Sequence, residues 1–223
     1  MTAFHQRLME RVGPVWERTH QHPFVTGLGD GTLPVESFRY YMKQDYLYLI
    51  DYAKMFALAS VKAYDLGTSA KFAALQESTL NTEMSLHRQY AERFGISREE
   101  LEATEPSFVL IAYTSYMLKV AQQGSLAELV SALLPCTWSY WEIGKRLAKV
   151  EGALEHELYG EWVRMYSSDE FGELAKWLIE IMDQLAEGKS EQELARLEEH
   201  FVVTSRLEYL FWDMAYRREL WPC

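Results

Sequence analysis

Turn-forming residues and cysteines are scarce in this chain of 223 residues, which has 12 glycines, 6 prolines and 2 cysteines. Glycine and proline together make up about 8% of the chain, against about 12% in average usage. That scarcity disfavours a sandwich or barrel of many short strands. Cys136 and Cys223 cannot build a disulfide framework. We therefore expect a helical protein from a reducing compartment.

Positive charge is also in short supply. The chain has 22 basic and 33 acidic residues, a formal net charge of −11. So acidic a domain repels phosphate backbones and anionic membrane surfaces, and we expect neither a nucleic acid nor a membrane as a partner. No apolar run approaches the ~20 residues that cross a bilayer. The first residues lack the apolar core of a signal peptide. These observations predict a cytoplasmic protein.

Apolar residues recur at helical spacing along most of the chain. The pattern predicts an all-α bundle, a single domain over residues 1–223, with helices at 4–19, 34–64, 68–94, 107–123, 125–150, 153–166, 168–188 and 190–220. Two capping boxes, Ser125 with Glu128 and Ser190 with Glu193, mark helix starts. Pro135 should kink its helix. The glycine-dense stretch 27–32 is typical of a loop.

One predicted helix face combines a carboxylate with phenols. Asp45, Tyr48 and Tyr52 lie at positions i, i+3 and i+7, so their side chains share a face. Aromatic residues are 14% of the chain, 14 of them tyrosines, which suits the wall of a pocket for a flat ring. The alternative is that Asp45 only binds a buried tyrosine hydroxyl. Tyr113 lies in an ordinary amphipathic segment, where a core role is the commoner one.

Cys136 follows Pro135 and shares a helix face with Tyr140, one turn later. From position alone, an inert buried thiol is a commoner fate than a catalytic one. Tyr166, like Tyr113, is in an ordinary amphipathic segment and could equally belong to the core.

Glu208 stands in the apolar run SRLEYLFWDMAY. It either pairs with an arginine, for which Arg206, Arg217 and Arg218 are available, or it lines a pocket. Burial without a positive partner would raise its pKa and make it a proton donor near neutral pH.

No pattern for a metal or cofactor is present. The six histidines are scattered, with neither the paired Glu-x-x-His motif of a di-iron bundle nor the spacing of a zinc site. Glu83 and His87 are four residues apart, but no second pair matches them. The glycine-dense stretch fits neither the Walker nor the Rossmann spacing. We expect no metal and no cofactor.

Several separated segments together resemble the TenA/thiaminase II family. They agree in order and spacing, and they are His22-Pro23-Phe24-Val25 with residues 28–33, Phe38 with Gln44-Asp45-Tyr46, Leu134-Pro135-Cys136 with Tyr140, and Glu208 with Phe211-Trp212-Asp213. The resemblance covers residues 4–219. It implies a haem-oxygenase-like all-α fold that binds no haem and assembles as a homotetramer.

The resemblance also implies a reaction and its residues. Members hydrolyse thiamin or its breakdown product 4-amino-5-aminomethyl-2-methylpyrimidine, and they release the hydroxymethyl pyrimidine for thiamin salvage. By this resemblance Cys136 is the nucleophile, Glu208 is the proton donor and Asp45 binds the aminopyrimidine. The tyrosines implied to line the site are Tyr48, Tyr113, Tyr140 and Tyr166.

Two other kinds of protein stay open at this point. One is a non-catalytic pyrimidine-binding or regulatory protein on the same fold. The other is a haem or di-iron oxidase, for which His20 is a conceivable haem ligand.

Overall fold

The computed structural model describes residues 3–222, and over that range the ordered elements are helices, with no strand. The predicted all-α class is therefore confirmed. The α-helices are α1 Phe4–His20, α2 Pro23–Asp30, α3 Val35–Lys62, α4 Leu66–Ser78, α5 Met84–Arg93, α6 Arg98–Glu102, α7 Phe108–Gln123, α8 Leu126–Leu147, α9 Gly160–Ser167, α10 Asp169–Ala186 and α11 Glu191–Arg217, and a π-helical segment, Thr79–Glu83, joins α4 to α5. Cys223 lies outside the described residues.

Serine side chains start several of these helices. The Ser125 hydroxyl accepts the backbone N–H of Glu128, whose carboxylate accepts the backbone N–H of Ser125. Ser190 and Glu193 exchange the same pair of hydrogen bonds at the start of α11. Each box satisfies amides that the first helical turn leaves unpaired. Both predicted capping boxes are confirmed.

The prediction of a loop over residues 27–32 is wrong for residues 27–30, because α2 continues to Asp30. Its glycines allow close packing. A Cβ on Gly27 would lie 2.9 Å from the backbone nitrogen of Leu33, and one on Gly29 would lie 2.8 Å from Cδ2 of Leu147. The helix ends at Gly31, whose φ of 77° is in the left-handed region.

Gly31 is expected to resist substitution. A Cβ there would lie 2.4 Å from Nε2 of His156, and Nδ1 of that ring accepts the backbone N–H groups of Leu158 and Tyr159, so the ring cannot easily move. Gly31→Ala should lower the free energy of unfolding by about 1 kcal/mol for backbone strain and roughly 1–3 kcal/mol more for the clash. Denaturant unfolding measures the loss.

The matched control is Gly152→Ala. Gly152 has a φ of 78°, but apart from its chain neighbours no described residue has an atom within 4 Å of the place that a Cβ would take there, so the substitution introduces the backbone strain alone. Equal losses of stability in the two variants would show that the contact with His156 does not constrain Gly31.

The helix predicted over 153–166 is also wrong at its start. Residues 151–155 and 157–159 form turns, and α9 begins at Gly160. The His156 ring explains why the helix begins later than predicted, because it accepts the backbone N–H groups of Leu158 and Tyr159 and keeps them in a turn.

The helix predicted over 68–94 is interrupted by the π-helical segment, a feature that is frequent at functional sites.

The helices group into two compact units. The first comprises residues 3–34 and 130–213, and the second residues 35–129 and 214–222. In the first, α1 packs on α2 and α10, and α9 packs on α10; in the second, α3 packs on α4, α5 and α7. The prediction of a single domain over residues 1–223 stays a prediction.

Within residues 3–222, no helix has the length and apolarity needed to span a membrane.

Candidate active site

In the second unit, α3 and α7 bring three of the predicted site residues close to one another. Tyr48 on α3 is stacked on Tyr52 with ring centroids 5.4 Å apart, and its ring lies 5.3 Å from that of Tyr113 on α7. The hydroxyl of Tyr48 donates to Sδ of Met117 at 3.8 Å. Asp45 lies one turn before Tyr48 and is only 7% exposed. A buried carboxylate thus neighbours an aromatic wall.

Gln44, the residue before Asp45, connects α3 to the start of α7. Its side chain is fully buried. The amide nitrogen donates to the backbone carbonyl of Glu105 at 2.9 Å, and the amide oxygen accepts the backbone N–H of Ser107, also at 2.9 Å. Since Ser107 caps α7, this double hydrogen bond fixes the helix that carries Tyr113.

His87 on α5 faces Asp45, with Nε2 of the ring 3.3 Å from Oδ2 of the carboxylate. Burial, and secondarily the positive charge of Arg88, lower the pKa of His87 to about 4. The imidazole is therefore neutral at pH 7. In the sequence, His87 stands out only as the partner of Glu83 in an unmatched pair. Nothing in the sequence connects it to a residue 42 positions earlier.

The first unit holds the other four predicted residues. Tyr140 on α8 lies with its ring 4.8 Å from that of Tyr166 on α9 and 4.9 Å from that of Trp212 on α11. Cys136 is partly exposed, although its neighbours along α8 on both sides are buried. Cys136 is therefore the more exposed residue within an otherwise buried stretch of helix.

Glu208 on α11 is 3% exposed. By contrast, the arginines considered as its partners, Arg206, Arg217 and Arg218, are all exposed.

A metal site is not apparent in the described part of the chain, where no group of three or more His, Cys, Asp and Glu side chains could hold an ion. His20, the conceivable haem ligand, lies at the end of α1. Burial and the charge of Arg146 lower its pKa.

Comparisons with known proteins agree with this architecture. The chain is 56% identical over 219 residues to the aminopyrimidine aminohydrolase of Halalkalibacterium halodurans, with 98% of each chain covered. It is 43% identical to the aminopyrimidine aminohydrolase of Helicobacter pylori, with 95% of this chain and 98% of that one covered. The TenA homologue of P. horikoshii OT3 superimposes with a TM-score of 0.89 at 31% identity, over 97% of this chain and 99% of that one.

The fold extends to a more distant protein. A domain of unknown function with a heme oxygenase-like fold from Shewanella denitrificans superimposes with a TM-score of 0.75 at 15% identity, over 96% of this chain and 92% of that one. This likeness confirms the predicted haem-oxygenase-like fold. Residues 9–218 match the sequence model of a family described as TENA/THI-4/PQQC. The chain therefore belongs to the TENA/THI-4/PQQC family.

Proposed function

We propose that this protein is an aminopyrimidine aminohydrolase. It would replace the side-chain amine of 4-amino-5-aminomethyl-2-methylpyrimidine by a hydroxyl group, or release the same hydroxymethyl pyrimidine from thiamin. The observation that carries the proposal is the 56% identity, over 98% of both chains, to a relative named for this activity. A buried carboxylate beside stacked phenols supports it, because those groups complement the edge and the faces of an aminopyrimidine.

Recognition is assigned to Asp45 and the tyrosines. An aminopyrimidine has apolar faces and a polar edge, so the rings of Tyr48 and Tyr113 can contact its faces. The carboxylate of Asp45 accepts a hydrogen bond from the exocyclic amine. Tyr140 and Tyr166 are assigned to substrate binding, as the family resemblance implies.

Cys136 is assigned the nucleophilic role. Its thiolate adds to a carbon of the electron-poor ring, and a sulfur–carbon bond forms. The bond between the methylene carbon and the amine then breaks, and the amine leaves as ammonia. Water adds to the methylene carbon and supplies the hydroxyl group, and its other proton returns to the group that protonated the amine. The sulfur–carbon bond then breaks, and the thiolate is restored. The net reaction consumes one water and releases one ammonia for each product.

Glu208 is assigned the role of general acid. An amine is a poor leaving group unless it is protonated, so the departing nitrogen needs a proton donor. A carboxyl group that is 3% exposed fits this role better than a solvated one, since burial favours the protonated form.

Asp45→Asn is expected to weaken pyrimidine binding by about 10- to 100-fold. The change keeps the size of the side chain but removes the charge that strengthens a hydrogen bond to the exocyclic amine. Calorimetric titration with the hydroxymethyl pyrimidine measures the affinity. The matched control is Asp51→Asn on the same helix, where the carboxylate pairs with Lys54 at 2.7 Å. Unchanged affinity in Asp45→Asn would remove Asp45 from recognition.

The decisive experiment separates an enzyme from a pyrimidine-binding protein. Purified protein is incubated in parallel with the aminomethyl pyrimidine and with thiamin, and the hydroxymethyl pyrimidine is quantified by chromatography. We expect multiple turnovers on at least one of the two substrates. Tight binding of both without any product would instead support the non-catalytic alternative.

The resemblance also supports a cytoplasmic homotetramer. Apolar side chains at the corner between α3 and α4 are consistent with self-association, since Val61 is 84%, Tyr64 98% and Leu66 86% exposed.

A further inference from the structure

His87 is a buried polar residue that the reaction outlined above does not use. It lies on α5, just after the π-helical segment, and is 8% exposed. Asp45, to which that reaction assigns substrate recognition, is equally buried, and Oδ2 of its carboxylate is 3.3 Å from Nε2 of the imidazole. The side chains of His87 and Asp45 are thus buried next to each other.

The hydrogen-bonding capacity of His87 is unused in the structure. Neither ring nitrogen has an aligned hydrogen-bond partner among the described residues. A neutral imidazole has one N–H donor, and a buried donor is rarely left unpaired. Oδ2 of Asp45 lies 3.3 Å from Nε2, so a hydrogen bond between them requires better alignment and little change in distance.

Burial is the main reason why the imidazole of His87 is neutral, and the charge of the neighbouring Arg88 adds to it. Arg88, the next residue on α5, donates from Nη2 to the hydroxyl of Tyr46 at 3.3 Å and lies over the Tyr46 ring at 5.6 Å. Its positive charge disfavours a second one on His87. Consecutive residues of α5 therefore face consecutive residues of α3.

We propose that His87 is a positioning residue, whose Nε2–H donates to Oδ2 of Asp45 and turns Oδ1 toward the exocyclic amine of the substrate. This inference depends on the proposed function. A neutral donor suits the task, because it fixes the orientation of the carboxylate and leaves its negative charge for the ligand. An arginine or lysine in the same place would form an ion pair and weaken the carboxylate as an acceptor.

The test uses three substitutions of His87 and one ligand, 4-amino-5-hydroxymethyl-2-methylpyrimidine, titrated by calorimetry. His87→Leu removes the donor and should weaken binding about tenfold. The amide nitrogen of a glutamine reaches the place of Nε2, so His87→Gln should restore most of the affinity. The shorter His87→Asn reaches only the place of Nδ1 and should bind as weakly as His87→Leu. Met84→Leu, a buried change on the same helix, is the control for disturbed packing.

A double-mutant cycle shows whether His87 acts through Asp45. In an Asp45→Asn background, His87→Leu should cause little further loss of affinity, because no carboxylate remains to be oriented. Equal losses in both backgrounds would overturn the inference, as would wild-type affinity in His87→Leu or failure of His87→Gln to restore binding. Thermal unfolding confirms that each variant is folded, and the Gln and Asn pair decides the question if the Leu variant is not.

The same titration separates this inference from the proposal on which it depends. If the unsubstituted protein does not bind the pyrimidine, the proposed function fails and the role of His87 fails with it. If the unsubstituted protein binds and His87→Leu binds equally well, only the role of His87 is overturned.

Discussion

Cys136→Ser is expected to fold normally and to lose hydrolysis of the aminomethyl pyrimidine by at least about a thousandfold. A serine hydroxyl is a far weaker nucleophile than a thiolate at the same pH, and loss of a covalent nucleophile commonly costs that much or more. The site tolerates the change in size, because Cys136 is partly exposed. Steady-state kinetics measure the rate, and circular dichroism verifies the fold.

The control for this variant is Ser139→Ala, on the same helix. The Ser139 hydroxyl is buried and makes no hydrogen bond to any residue from 3 to 222, so its removal should leave both fold and rate nearly unchanged. Pyrimidine binding by Cys136→Ser should also persist, since the thiol is assigned to chemistry and not to recognition. Turnover near the wild-type rate in Cys136→Ser would reject the covalent route.

Glu208→Gln is expected to lower kcat by about a hundredfold or more, the usual contribution of a general acid, with a smaller effect on KM. The dependence of the rate on pH tests the role of Glu208 more sharply than the size of the loss in kcat. A general acid has to be protonated to act, so the wild-type rate falls as the pH rises through the pKa of that acid. A glutamine cannot titrate, and this alkaline limb should disappear from the residual activity.

Glu199→Gln is the matched control for that substitution. It makes the same chemical change on α11 at an exposed position, so both the rate and its pH profile should stay as in the wild type. A pH profile of Glu208→Gln that coincided with the wild-type profile would assign the acid to another group.

The sequence was sufficient to predict those features of the fold that depend on residues close together along the chain. Apolar spacing predicted the long helices, and Ser125 with Glu128 marked the start of α8, because a capping box involves residues only three positions apart. It was insufficient where a distant contact decides the conformation. A Cβ on Gly27 would meet the backbone of Leu33, and one on Gly29 would meet the side chain of Leu147, so these glycines serve close packing within a helix, whereas glycine content alone suggested a loop.

The same distinction holds at the candidate site. The shared face of Asp45 and Tyr48 follows from helical spacing within α3. The contact of Asp45 with His87 joins two helices. The hydrogen bonds of the Gln44 side chain with the backbone of Glu105 and Ser107 likewise connect separate segments. Such contacts cannot be inferred from the spacing of residues along one helix. The catalytic assignments of Cys136 and Glu208 stay predictions that depend on the resemblance.

The central claim is that this protein uses water to displace ammonia from an aminomethyl pyrimidine. Turnover in water enriched in heavy oxygen tests it most directly, with the product examined by mass spectrometry and ammonia assayed in the same sample. The account predicts that the new hydroxyl group carries the heavy oxygen and that one ammonia is released for each product. A protein that binds the pyrimidine but forms no labelled product and no ammonia would contradict it.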